Sequence, residues 1–311
     1  MKKTRIHGVW ILFLLSVVTC LQVKAQYMPV VFDKVYGDKN QIQLVCPLPG
    51  DEVALVGKEG QKYNLTWVER EGDVVFSLPL TGFTAVNEIA ELDNNRVLVV
   101  GQSTMPNVKG KKDRITLCGR IAVVERNGRI VTDIYAGDQG SNFLKGMLLR
   151  SGAFVVSGSE PKGADGRQGI LLKLDPTGSV VYQYKNAGGG YCDQFAVMGN
   201  SIEYICAAFS AGKDKEQALV VRLDDKGKPY YMTAIPAKQF VVTGLNANIN
   251  DGSVLVIGNS PTDGGIIYKI RPEGDIVFAK NMIPANQGAA MLDHLQVARN
   301  GNILVGGSGS Q

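Results

Sequence analysis

The chain is poor in histidine: His7 and His294 are the two among 311 residues, and only His294 lies beyond the N-terminal segment, preceded by Asp293. That scarcity excludes multi-histidine metal centres such as His-Glu-x-x-His. A Ser-His-Asp triad would have to use His294, and no Gly-x-Ser-x-Gly elbow accompanies it. Cysteine is equally sparse, with Cys20, Cys46, Cys118, Cys192 and Cys206 scattered and no Cys-x-x-Cys pair, which argues against structural zinc. The triple glycine 188–190 lacks the Gly-Lys-Ser/Thr ending of a phosphate loop and reads as a connection. No cofactor is expected.

Long apolar runs are also missing. The longest, residues 9–21, follows Lys2, Lys3 and Arg5 and precedes Val23-Lys24-Ala25, the layout of a secretory signal peptide cleaved after Ala25. It is shorter than the roughly twenty residues a membrane-spanning helix needs. Residues 1–25 therefore read as a signal peptide and residues 26–311 as one domain, secreted, periplasmic or at the cell surface. The alternative is a lipoprotein box at residues 17–20, with Cys20 lipidated as an anchor; Thr19 fits such a box poorly. Charge of one sign is the last absence. Residues 1–25 hold four of the 33 basic residues and no acid, so their removal leaves 29 basic against 29 acidic residues. A chain without net charge lacks the positive field that attracts phosphate backbones, so no nucleic-acid partner is expected.

What is present is a repeat. An apolar strand ending on glycine recurs at residues 53–57, 97–101, 154–158, 254–258 and 303–306, with Ala207 in the glycine's place in the fourth copy. A strand, a glycine turn and another strand recur at Gly72, Gly128, Gly178, Gly227 and Gly274, at spacings of 56, 50, 49 and 47 residues. A period of this size marks stacked β units. Middle strands such as Val97-Leu98-Val99-Val100 are apolar on both faces, as a sheet packed between two others requires. The expected fold is all-β, a β-propeller of about six four-stranded blades. The sixth copy stops soon after Gly306, and residues 30–37 resemble an outer strand, so the N-terminal strand is expected to close the last blade. That blade would be three-stranded, or the gene product truncated.

Units such as Gly169-Ile170-Leu171-Leu172-Lys173-Leu174-Asp175-Pro176-Thr177-Gly178 resemble the secreted bacterial propellers of the delta-sixty, kelch or quinoprotein-like repeat type. The resemblance covers nearly the whole chain after residue 25 and implies an architecture without an activity, because such superfamilies host enzymes, lectins and scaffolds alike. Cys192 and Cys206 are equidistant from a turn at Gly199-Asn200, so an antiparallel hairpin centred there would oppose them and allow a disulfide. The alternative is four small buried thiols. Function is expected on the rim carrying the blade-to-blade connections, which vary, and not on the rim of stereotyped glycine turns. Asp138, Asn142, Tyr191, Asp193, Gln239 and Gln287 are the candidate binding residues there, facing a glycan or protein partner. The rival reading is an extracellular carbohydrate hydrolase or lyase using Asp138 and Asp193. The basic insertion at residues 102–118 reads as a solvated loop.

Overall fold

The computed structural model describes residues 41–93, 95–105, 117–163, 166–186, 190–198, 204–211, 217–248, 250–282, 290–298 and 301–309. The chain divides into two units, residues 1–36 and 37–311, and every described residue lies in the second. The first sheet contains β1 (Gln41–Leu48), β2 (Glu52–Glu59), β3 (Lys62–Val68) and β4 (Val74–Pro79). The second contains β5 (Phe83–Asp93), β6 (Arg96–Thr104), β7 (Leu117–Glu125) and β8 (Ile130–Ala136). The third contains β9 (Asn142–Leu148), β10 (Phe154–Lys162), β11 (Gly166–Leu174) and β12 (Val180–Lys185). The fourth contains β13 (Cys192–Met198), β14 (Tyr204–Phe209), β15 (Gln217–Leu223) and β16 (Pro229–Lys238). The fifth contains β17 (Val241–Ala247), β18 (Val254–Ser260), β19 (Gly264–Ile270) and β20 (Ile276–Asn281). The last contains β21 (Ala290–Val297) and β22 (Ile303–Gly309).

Each sheet is an antiparallel meander, and its first strand adjoins the first strand of the next sheet. This is the propeller arrangement read from the repeat. Among the described residues five sheets are four-stranded and the sixth has two strands. The segment expected to close it, residues 30–37, lies outside the described residues.

The core is a series of layers between successive sheets, and the two-faced apolar strands follow from it. In β6, Val97 and Val99 point into the layer shared with the first sheet, where Trp67 and Leu65 are buried. Leu98 and Val100 point into the layer shared with the third sheet, against Ile121 and Phe143. Since successive side chains of a strand face opposite ways, a blade with both faces covered needs no polar alternation. Further layers form around Phe195 and Leu171, and around Phe240 and Val256. The layer between the fifth and last sheets is thin, with Leu255, Ile257, Ile267 and Leu292 buried.

The repeated glycine turns join third to fourth strands, and two constraints fix the residue. Gly178, Gly227 and Gly274 have φ of 91°, 79° and 104°, in the left-handed region that favours glycine. A Cβ on each would also stand 2.9 Å or less from Ile134, Tyr182 and Tyr231, respectively, on the outer strand of the preceding sheet. The turn is therefore both a hairpin and a blade-to-blade contact. Its aspartate closes it locally: Asp175 Oδ1 accepts from Thr177 N at 2.8 Å and Ser179 N at 2.9 Å.

The glycine ending each second strand needs a correction. Gly101, Gly158 and Gly258 do sit at one register position, opposite Val86, Phe143 and Val242. In the last sheet that position is Gly307, opposite Leu292, and not Gly306. In the fourth it is Phe209, opposite Cys192, and not Ala207. The expected Cys192–Cys206 disulfide falls with this register. Cys206 pairs with Ala196, four residues on from Cys192, and the register slip at Asp193 between them turns Cys192 to the other face, so Cys192 lies in the layer with Phe195 and Cys206 in the next layer with Tyr231. Burial pushes the Cys206 thiol up to about 11, the behaviour of a small core group.

Candidate functional site

Every first strand carries a β-bulge at the same place. The register slips across Gln43, Asn87, Leu144, Asp193, Thr243 and Asp293, each the extra residue of its strand. A bulge re-aims the extra side chain, and at Asn87 and Thr243 it turns towards the neighbouring sheet. Asn87 Nδ2 donates to Phe143 O at 2.6 Å, and Thr243 Oγ1 donates to Leu292 O at 2.7 Å. The two acceptors are equivalent, each the residue before the next sheet's bulge. At these two bulges the side chain is thus a polar staple between consecutive inner strands. Asn259 adds a second tie at the last seam, donating to Leu292 O at 2.9 Å and accepting from Leu292 N at 2.7 Å.

One residue further along, charge collects on the inner strands. Glu88 Oε2 accepts from Gly146 N at 2.5 Å, and Lys145 Nζ donates to Gln194 Oε1 at 3.3 Å. Burial pushes the Glu88 carboxyl up, opposed by the Gly146 amide and by the charge of Lys145. His294 occupies the same position on β21 and is exposed.

Five of the six candidate residues fall among the described residues, at strand ends and connections between sheets. Asp138 stands in the connection from β8 to β9 with its side chain 71% exposed, and binds Lys185 Nζ at 2.8 Å. Lys185 also contacts the buried Glu160 at 2.5 Å, and Gln168 Nε2 donates to the same Glu160 oxygen at 2.7 Å. Asn142 opens β9 and accepts from Asn87 Nδ2 at 2.7 Å, so it serves the staple. Tyr191 is partly exposed beside β13. Gln239 is exposed in the turn from β16 to β17, at a left-handed φ of 50°. Asp193 is the bulged residue of β13, with a side chain outside the described part. Gln287 and most of the insertion at residues 102–118 lie outside the described residues altogether.

Asp138 is thus joined to Lys185, Glu160 and Gln168, partners that the sequence did not single out. They come from β10, β11 and β12, whose pairing alone brings them together. The opposite rim is not featureless. A groove of about 980 Å³ is lined by Val75, Asp93, Arg96, Glu125, Arg126 and Asn127. Its arginines are engaged, Arg96 with Asp93 and Arg126 with Glu52 at 2.6 Å. Arg126 holds the Glu52 carboxyl below its ordinary range, assisted by Trp67 Nε1, which donates to Glu52 at 2.6 Å. Among the described residues, no group of three or more His, Cys, Asp or Glu side chains is placed to hold a metal ion. Nor is any helix among them long and apolar enough to cross a membrane.

No protein-family model matches the chain. No curated protein matches it by sequence. Solved structures similar to it include the WD40 domain of Neurospora crassa Pan2, at 13% identity over 85% of this chain and 70% of that one, with a TM-score of 0.50. Also similar are a protein of unknown function from Bacteroides caccae (13% identity, 80% and 84% covered, TM-score 0.46) and Drosophila Plexin A in complex with Semaphorin 1b (10%, 87% and 72%, 0.47). At this identity the likeness speaks to the fold alone. The chain has a β-propeller-like all-β fold, and the likeness selects no single repeat family.

Proposed function

We propose that the chain is an exported binding or scaffolding propeller, of the delta-sixty, kelch or quinoprotein-like kind, that recognises a glycan or a protein in the cell envelope. Residues 1–25 would direct export, with lipidation at Cys20 as the alternative to cleavage after Ala25. The observation that carries the reading is the difference between the rims. One carries uniform glycine turns packed on the preceding blade, with a groove whose arginines are already ion-paired. The other offers irregular connections with exposed polar and aromatic groups, Asp138, Tyr191 and Gln239 among them. Binding residues gather on variable loops held by a rigid scaffold. Asp138 is ion-paired with Lys185, an exposed charged pair able to hold hydroxyl groups of a ligand.

The test is capture of envelope glycans and proteins by residues 26–311 and by Tyr191→Ala and Gln239→Ala. Both variants should weaken capture about tenfold without moving the melting temperature, and Lys226→Ala on the opposite turns should leave it unchanged. Turnover of a polysaccharide that is lost in Asp138→Asn would overturn the reading in favour of catalysis.

A further inference from the structure

The fourth sheet departs from its neighbours at one place. Every fourth strand among the described residues carries a β-bulge three residues after its turn glycine, and the extra residue is Val75, Val131, Val181, Tyr230 or Val277. Valine fills the bulge four times, at 38% to 53% exposure, whereas Tyr230 is 67% exposed. Next to this bulge the third strand carries a basic residue in three sheets: Lys173, Arg222 and Lys269, opposite Tyr182, Tyr231 and Phe278. Lys269 has a carboxylate to itself, Asp251 Oδ2 at 2.6 Å.

The half-buried Arg222 has no carboxylate partner among the described residues. Its Nη1 donates to Pro272 O at 3.0 Å, on the turn of the fifth sheet, and its Nε is buried with no hydrogen-bond partner. Two rings stand where a counter-charge would be expected. The guanidinium carbon lies 4.5 Å from the ring centroid of Tyr204 and 5.3 Å from that of Tyr230. Tyr204 is also particular to this sheet, since the third and fifth sheets have Ala153 and Ser253 at its position. Both aromatic substitutions therefore fall in the sheet whose basic residue is a guanidinium without an acid.

Ring faces attract a guanidinium but do not cancel its charge. A partly desolvated cation gains from a counter-ion that reaches it. The planar fork of arginine matches a carboxylate, which accepts two parallel N–H bonds. Tyr230 adds an open aromatic face beside that fork. A ligand that uses both carries its carboxylate on a ring with an apolar face, and an acidic sugar has this form. We propose that Arg222, Tyr230 and Tyr204 form a second binding site, at the seam of the fourth and fifth sheets, for the uronic-acid units of an acidic glycan. The carboxylate meets Arg222, and the C–H face of the sugar ring lies on Tyr230. An acidic peptide would satisfy the guanidinium without calling on Tyr230.

The experiment is calorimetric titration of the chain with a trimer of galacturonic acid, with maltotriose and triglutamate as the neutral and the peptide controls. The uronate trimer should bind one to one, and each control at least about tenfold more weakly. Tyr230→Val, which installs the residue of the other four bulges, should weaken uronate binding about tenfold without moving the melting temperature. Arg222→Gln should weaken it further. Equal affinity for triglutamate overturns the proposal in favour of an acidic peptide, and unchanged uronate affinity in Tyr230→Val overturns the stacking. No binding of the uronate trimer overturns the site itself. Tyr191→Ala and Gln239→Ala should bind the trimer as the parent does, so failure of ligand capture at the Asp138 rim and failure of this site are read separately.

Discussion

Replacing Asn87 by leucine tests whether the bulged residues staple one inner strand to the next. Asn87 donates to Phe143 O at 2.6 Å and to Asn142 Oδ1 at 2.7 Å. The variant loses both bonds and leaves Phe143 O without that donor. A net intramolecular bond is worth about 1 kcal/mol and an orphaned buried acceptor costs about 1–3 kcal/mol. Leucine stands at the equivalent bulge one sheet later, as Leu144, so leucine is the replacement expected to add least strain. We expect a loss of about 2 kcal/mol, or roughly 4–8 °C in melting temperature at this chain length. Urea unfolding should show a lower midpoint with an unchanged slope. Thr243→Val is the internal control: Leu292 O keeps the bond from Asn259, so the cost should stay near the lower figure of about 1 kcal/mol. A double-mutant cycle between Asn87→Leu and Asn142→Ala should return a coupling of about 0.5 kcal/mol or more. If Asn87→Leu leaves the midpoint unmoved, or the cycle closes to zero, the bulge does not tie the sheets and the staple is wrong.

Three other outcomes follow from the same geometry. Burial raises the Glu88 carboxyl, so its contribution to stability is whole below the ordinary carboxylate range and is lost as pH rises through the raised value; Glu88→Gln should gain on the parent between about pH 4 and about pH 7 in urea midpoint, and a constant difference would contradict the shift. Burial works against the Asp251 carboxylate, yet Lys269 at 2.6 Å and Ser253 hold it at about 2, so its contribution is present above the ordinary value and is lost as pH falls towards 2. With the Asp251 side chain 43% exposed, Lys269→Met should cost about 1 kcal/mol after screening, a difference that vanishes in acid melts and would refute the pairing if it persisted there. Gly227→Ala, at φ 79° and with its Cβ 2.5 Å from Tyr182, should cost about 2 kcal/mol or more, whereas Gly60→Ala, at φ 59° in open space, should cost about 1 kcal/mol; equal losses in thermal melts would show that the turn does not press on the preceding blade.

The repeat was legible because its landmarks are local. Asp175-Pro176-Thr177-Gly178 makes a turn from its own side chain and one left-handed residue, whatever the rest of the chain does. The apolar run of β6 likewise reports two covered faces without naming what covers them. The bulges were not legible. Gln43, Asn87, Leu144, Asp193, Thr243 and Asp293 share no one residue type, and what engages the polar group at two of them is a carbonyl on another sheet. The Asp138 cluster was half visible for the same reason. Asp138 sits in a connection that the sequence marks as variable, but Glu160, Gln168 and Lys185 lie within strands and meet it only through the register of β10, β11 and β12.

The fourth sheet shows why a glycine landmark can mislead. At this register the first and second strands together fill one space against the preceding sheet. Phe143 fills it from the first strand, with Gly158 beside it and Gly119 making room across the layer. The fourth sheet exchanges the parts: Cys192 is the small residue on the first strand, and Phe209 fills the space from the second, its ring lying where a Cβ on Gly169 would be. Both Phe143 and Phe209 are fully buried, so the layer is closed in either arrangement, as close-packed interiors demand. What the repeat preserves is the volume shared by a pair of strands and not the residue on either one. Matching the copies by glycine alone therefore slipped the fourth copy onto Ala207, when the packing puts the bulky side chain two residues further on; centring the hairpin on Gly199-Asn200 likewise set Cys192 opposite Cys206, when the bulge at Asp193 puts the thiols in separate layers.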